Sequence, residues 1–189
     1  HLYTAIRTVA AWLITLLVVF PLIWLLLTAF KTELQAIAVP PQLFFTPTLG
    51  DLQIELGDAK RAGKQAAFVM YVRDDCPYCE RMKKNILSRP DVQTWYRQRF
   101  AVLAIDFRGA VAITDFGGKA TTEKDFALAQ GVKYTPVIMF YDLNGKPLTR
   151  VDGEIRSTAE FLLLGEFVAS GAYARMKFAD YKQAAKLRE

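Results

Sequence analysis

Residues 66–79 read Ala66-Ala67-Phe68-Val69-Met70-Tyr71-Val72-Arg73-Asp74-Asp75-Cys76-Pro77-Tyr78-Cys79. The first seven are apolar throughout, the form taken by a short strand buried on both faces of a sheet. Three polar residues then separate the strand from two cysteines, and the chain on to about Leu87 reads as helix. Pro77 suits a first helical position, where its missing N–H costs nothing. The order is thus strand, turn, Cys76 at or near a helix N-terminus, and Cys79 one turn on. Unpaired N–H groups and the macrodipole favour a thiolate at such a terminus. Cys76 is expected to stand exposed as the nucleophile that attacks a substrate disulfide. Cys79 is expected beneath it, resolving the mixed disulfide.

Cys76 and Cys79 are the chain's only cysteines and His1 its only histidine. Structural zinc takes four protein ligands, which this composition does not supply. Covalent haem attachment takes a His directly after the second Cys, and Glu80 stands there. A purely structural disulfide would close too short a loop to restrict the unfolded chain much. No metal and no cofactor are expected. A second candidate element is Tyr134-Thr135-Pro136, 57 residues after Cys79 and directly before an apolar strand. Pro136 there suits a cis peptide bond. Such a turn would leave the Thr135 backbone free to pair with a bound substrate strand. Thr135 and Pro136, with Pro77 and Tyr78 between the cysteines, are the candidate substrate-binding residues.

Outward from this centre the chain alternates helix and strand. Asp51–Lys64 reads as an amphipathic helix with Leu52, Leu56 and Ala59 on one stripe. Pro90–Phe100 reads as a short helix opened by Pro90 and Asp91, and Ala101–Phe107 as a second buried strand. Arg108–Thr122 carries Gly109, Gly117 and Gly118 and reads as a loop. Glu123–Gln130 is a helix stopped by Gly131. Val137–Tyr141 and Leu148–Val151 flank Asn144-Gly145, a hairpin signal. Thr158–Ser170 is helical, and Ala172–Arg188 is expected to continue as a basic helix. Strand–helix–strand followed by hairpin and helix predicts an α/β fold, a mixed sheet with helices on both faces.

The N-terminal residues differ in character. Thr8–Phe30 is 23 residues without a charge. As a helix it would extend roughly 34 Å, slightly more than a hydrocarbon core of about 30 Å. Trp12 and Trp24 sit near its ends, where interfacial aromatics belong. The expected organisation is a transmembrane anchor over 1–30, a linker over 31–49 broken by Pro40, Pro41 and Pro47, and a globular domain over 50–189. A cleaved signal peptide is the rival, since Ala36-Ile37-Ala38 has the form of a cleavage site. Residues 50–189 hold 22 basic and 18 acidic residues. With no basic block among them, this is ordinary solvation and makes no case for nucleic acid.

Four segments carry a family resemblance: Asp75-Cys76-Pro77-Tyr78-Cys79-Glu80-Arg81-Met82; Thr114-Asp115-Phe116 with Thr122-Glu123-Lys124; Tyr134-Thr135-Pro136-Val137; and Phe140–Lys146. Through them residues 50–171 resemble the thioredoxin superfamily, and most closely the periplasmic SoxW-like thioredoxins. The resemblance implies a thioredoxin fold with a cis-proline facing the dithiol. It also implies thiol–disulfide exchange outside the cytoplasm with protein or sulfur-carrier substrates and an upstream thiol reductant or oxidant. Thioredoxins have Trp before the first Cys and Gly-Pro between the pair, where this chain has Asp75 and Pro77-Tyr78. They also carry a buried acid six residues before the first Cys, where this chain has Met70. A proton relay would then come from elsewhere, with Asp106 a candidate.

Residues 9–49 are similar to the first membrane helix of sugar-transporter permeases, through Phe20–Trp24, Thr28–Thr32 and Val39-Pro40-Pro41. That likeness implies exit on the outer side of a bacterial inner membrane, with the thioredoxin domain in the periplasm. The alternative function is an assembly or binding subunit of a membrane complex whose dithiol is vestigial. Asp74, Asp75 and Glu80 would raise the Cys76 pKa, and Arg73, Arg81 and the helix dipole would lower it.

Overall fold

A computed structural model of the chain describes residues 12, 19, 20 and 50–186. The linker and signal-peptide readings fall outside the described residues, as does the anchor apart from residues 12, 19 and 20. Among the described residues no helix is long and apolar enough to cross a membrane. The chain divides between Pro47 and Thr48, and the unit Thr48–Glu189 holds the fold that follows.

Strand β1 (Ala66–Val72) is buried at every position. It pairs in parallel with β2 (Phe100–Asp106) and antiparallel with β5 (Val137–Tyr141), and β6 (Pro147–Asp152) closes the order β2-β1-β5-β6. Successive side chains of a strand point to opposite faces. Ala66, Phe68, Met70 and Val72 therefore enter one apolar cluster and Ala67, Val69 and Tyr71 the other.

The first face is covered by α2 (Pro77–Met82) with its π-helical continuation (Lys83–Leu87), α3 (Pro90–Arg99) and α5 (Thr158–Ala169). Phe68 stands edge-on to Tyr96, Phe140 and Phe161, and Tyr96 stacks on Phe161 at 4.4 Å. Helices α1 (Leu52–Arg61) and α4 (Glu123–Ala129) cover the second face through Leu52, Leu56, Phe126 and Ala127. Both start on side-chain caps, from Asp51 and Thr122.

Two readings need correction. Residues 108–122 are not all loop, because β3 (Ala112–Thr114) pairs with β4 (Ala120–Thr122) as a separate hairpin. Its turn is built by the Asp115 carboxylate, which accepts the Gly117 and Lys119 N–H groups at 2.8 and 2.9 Å. The C-terminal stretch is not one helix. A 3-10 turn (Ala172–Ala174) precedes α6 (Phe178–Lys186). The break lets Phe178 and Tyr181 turn back onto Phe167, at ring distances of 5.5 and 5.2 Å.

Candidate active site

Sheet register brings the two candidate elements to one end of the sheet, at its two central strands. Tyr71 lies opposite Val137, so the continued register sets Pro136 against Val72, the residue from which the cysteine loop departs. The Thr135–Pro136 bond is cis. Pro136 is buried, Thr135 half-buried and Tyr134 exposed. The Pro136 carbonyl accepts the Gly153 N–H at 2.9 Å, which fixes the turn against the chain leaving β6.

Cys76 is the N-cap of α2 in extended conformation, with Pro77 as the first helical residue. Its Sγ accepts the Cys79 N–H at 3.1 Å. Cys76 and Cys79 form a disulfide across a Cα–Cα distance of 5.2 Å. The cap position aims the orphan N–H groups of the first helical turn at the Cys76 sulfur, so reduction would place the new thiolate where these groups stabilise it.

The expectation of an exposed Cys76 is corrected. In the disulfide form Cys76 is 2% exposed and Cys79 0%. The bond to Cys79 and the Cys79 N–H hold Cys76 Sγ inward, and both residues join the apolar cluster of Met70, Val72 and Met82. Pro77 and Tyr78 are the exposed residues of the motif, Tyr78 by half.

Four of the charges flanking the motif, Arg73, Asp75, Glu80 and Arg81, are paired. Asp75 takes Arg73 Nε at 2.9 Å and Arg108 Nη1 at 3.5 Å. Glu80 takes Lys83 at 3.1 Å. Arg81 meets Glu154 at 2.6 Å and lies over the Tyr78 ring at 5.1 Å. Arg73 and Asp75 thus offset each other directly, while Glu80 and Arg81 are offset by Lys83 and Glu154 from outside the motif.

Asp106 ends β2 opposite Val72. Its Oδ1 accepts the Arg108 N–H at 2.9 Å, and its own N–H donates to Glu123 Oε1 at 3.2 Å. Burial first, and then the Asp106 charge, hold the Glu123 carboxyl above the usual carboxylate range. A pair of carboxylates therefore ends the strand beside β1.

Two features carry no local sequence signal. Thr135 Oγ1 is buried without a hydrogen-bond partner. Arg150, on β6, donates from Nη1 to the Gln130 carbonyl at 3.0 Å and from Nη2 to the Gly131 carbonyl at 3.3 Å. Asp152 holds the same guanidinium, accepting from Nε at 2.9 Å. Arg150 therefore ties down the C-terminal end of α4, from which the Thr135–Pro136 turn is reached. These contacts join residues 19 and 20 apart, beyond the reach of a motif or a helical period. Among the described residues no group of three or more His, Cys, Asp and Glu is placed to hold a metal.

The family model for a thioredoxin-like domain matches residues 52–169. No curated protein matches the chain. A thioredoxin-fold protein from Helicobacter pylori is similar in structure, with TM-score 0.57 and 19% identity over 67% of this chain and 88% of that one. A thioredoxin from Thermus thermophilus gives TM-score 0.48 and 24% identity over 63% and 84%. A DsbH oxidoreductase gives TM-score 0.46 and 16% identity over 67% and 92%.

Proposed function

The chain belongs to the thioredoxin-like domain family, and from that premise we propose that it is a thiol–disulfide oxidoreductase whose working group is Cys76–Cys79. The observation that carries the proposal is the disulfide itself, at the N-terminus of α2 with the Cys79 N–H on Cys76 Sγ, at the end of the sheet that also bears the Thr135–Pro136 turn.

In the oxidising direction a substrate thiolate attacks Cys76 Sγ. The Cys76–Cys79 bond breaks, and Cys79 leaves as a thiolate that takes a proton. A second substrate thiolate then attacks the substrate sulfur of the mixed disulfide and releases Cys76. Two electrons pass to the protein and the substrate leaves as a disulfide. The reducing direction is the same path reversed, with Cys76 as nucleophile and Cys79 as resolving thiol. The backbone of Thr135 is free to align an extended substrate strand beside the sulfur atoms.

Insulin reduction, with dithiothreitol as electron donor, tests this. Cys76→Ser is expected to abolish turnover, and Cys79→Ser to accumulate a mixed disulfide detectable by mass. Full turnover by Cys76→Ser would sink the proposal. The reduction potential gives direction: about −270 mV marks a reductase and about −120 mV an oxidant.

We further propose a SoxW-like role in the periplasm, tethered to the bacterial inner membrane through Thr8–Phe30. The uncharged run and the interfacial Trp12 and Trp24 support the tether. Carbonate extraction of membranes tests it, and recovery of the full chain in the soluble fraction would refute it.

A further inference from the structure

Beside the dithiol helix lies an open cleft of about 250 Å³, lined by Arg81, Asn85, Ile86, Glu154, Ile155 and Arg156. Its apolar floor, Ile86 and Ile155, belongs to the same buried cluster as Cys76 and Cys79. Its wall starts one residue after Gly153, whose N–H holds the Pro136 carbonyl at 2.9 Å. The cleft therefore adjoins both the dithiol helix and the cis-proline turn.

The charge is uneven. The Glu154 side chain, 6% exposed, is met by Arg81 Nε at 2.6 Å and by Arg156 Nε at 3.3 Å. One carboxylate against two guanidiniums leaves a net positive charge. The Arg81 side chain is 51% exposed and that of Arg156 81%, so both remain open to solvent while anchored from behind. An anchored guanidinium is suited to a second carboxylate, because its planar N–H fork is already oriented.

We infer that this cleft is a carboxylate-recognising subsite, selecting substrates with an acidic group near the reactive sulfur; the inference rests on the oxidoreductase reading. The guanidinium of Arg81 lies 5.1 Å from the ring of Tyr78, which stands between the two cysteines; the residue itself is about 140° round the helix from Cys76 and about 7.5 Å along its axis. An extended substrate strand covers that distance in two or three residues at about 3.3 Å each. The carboxylate could be a substrate-protein side chain or the terminus of a small thiol such as glutathione.

The test is single-turnover reduction of the Cys76–Cys79 disulfide, followed by acid quench and mass. One peptide has Glu two residues either side of a Cys, and its counterpart has Gln there. Each peptide pair reduces the disulfide by the two steps given above and leaves as peptide disulfide, so no other oxidant is needed. The Glu-to-Gln rate ratio is compared between the unmodified protein and Arg156→Gln, which cancels the effect of Glu on the peptide's own thiol. The unmodified protein is expected to show a ratio about two- to fivefold higher at low salt, the scale of an exposed ion pair. The excess should shrink at high salt and fall further in Arg156→Glu.

Running glutathione against its diethyl ester separates the sources. Arg156 dependence confined to peptides assigns the site to protein substrates, and dependence confined to glutathione assigns it to the small thiol. Equal ratios in all three proteins, each still reduced by dithiothreitol, overturn the subsite and leave the oxidoreductase reading standing. A disulfide that neither dithiothreitol nor any peptide reduces overturns both.

Discussion

Thr135 shows how a single atom can separate stability from activity. Its Oγ1 is buried and unpaired beside the cis-proline. A buried hydroxyl left without a partner costs about 1–3 kcal/mol. Valine has nearly the same shape and no hydroxyl, so Thr135→Val is expected to stabilise the oxidised protein by about 1 kcal/mol in urea titration. If the hydroxyl serves an incoming substrate, the same change should slow insulin reduction severalfold. Loss of stability in Thr135→Val would contradict this account. Residues 76–79 were legible in the sequence because their chemistry is local: two sulfurs, a helix start and a proline within four positions. The burial of Cys76 was not legible, since it arises from the closed disulfide and from the apolar cluster shared with Met70 and Met82, which no spacing encodes.

At the scale of elements, the long apolar and amphipathic segments were read nearly to the residue, because burial of a whole face leaves a period in the sequence. The β3–β4 hairpin was missed for the opposite reason. Each strand has three residues, and what closes the turn is one carboxylate accepting two N–H groups. Contacts between elements leave still less trace. Arg150 on β6 holds the end of α4 through two carbonyls, and hydrogen bonds from a charged donor contribute about 1.5–3 kcal/mol when well buried. Its side chain is 30% exposed, so about 1–2 kcal/mol is the expected loss for Arg150→Met. Amide exchange should rise at Gly131 and Val132, whose N–H groups donate to the Leu128 and Ala127 carbonyls, while β1 stays protected. Unchanged exchange there would remove Arg150 from the support of the turn. Gly165 gives a steric counterpart, since a Cβ there would stand 2.3 Å from Trp95 Cζ3. Gly165→Ala should force α3 and α5 apart and cost about 1–3 kcal/mol in chemical denaturation.

For the molecule as a whole, the same end of the sheet that collects the redox elements also collects charge, and this makes its stability depend on pH. Glu123 is half-buried with its carboxyl raised above the ordinary 4.5, by burial first and then by Asp106. Below pH 4.5 this carboxyl is protonated in the folded and the unfolded chain alike, and contributes nothing. As pH rises past 4.5 the unfolded chain ionises first, while the folded chain still holds its proton. Stability from this group therefore falls as pH climbs to the raised folded value, and stays reduced above it. Glutamine keeps the oxygen that accepts the Asp106 N–H and removes the ionisation. Glu123→Gln is thus expected to flatten the decline between pH 4.5 and neutrality, and to raise the melting temperature at pH 7 more than at pH 4. Melting curves of both proteins across that range check the sign. An equal shift at the two pH values would mean that Glu123 acts through packing and that its carboxyl ionises freely at the β2 edge.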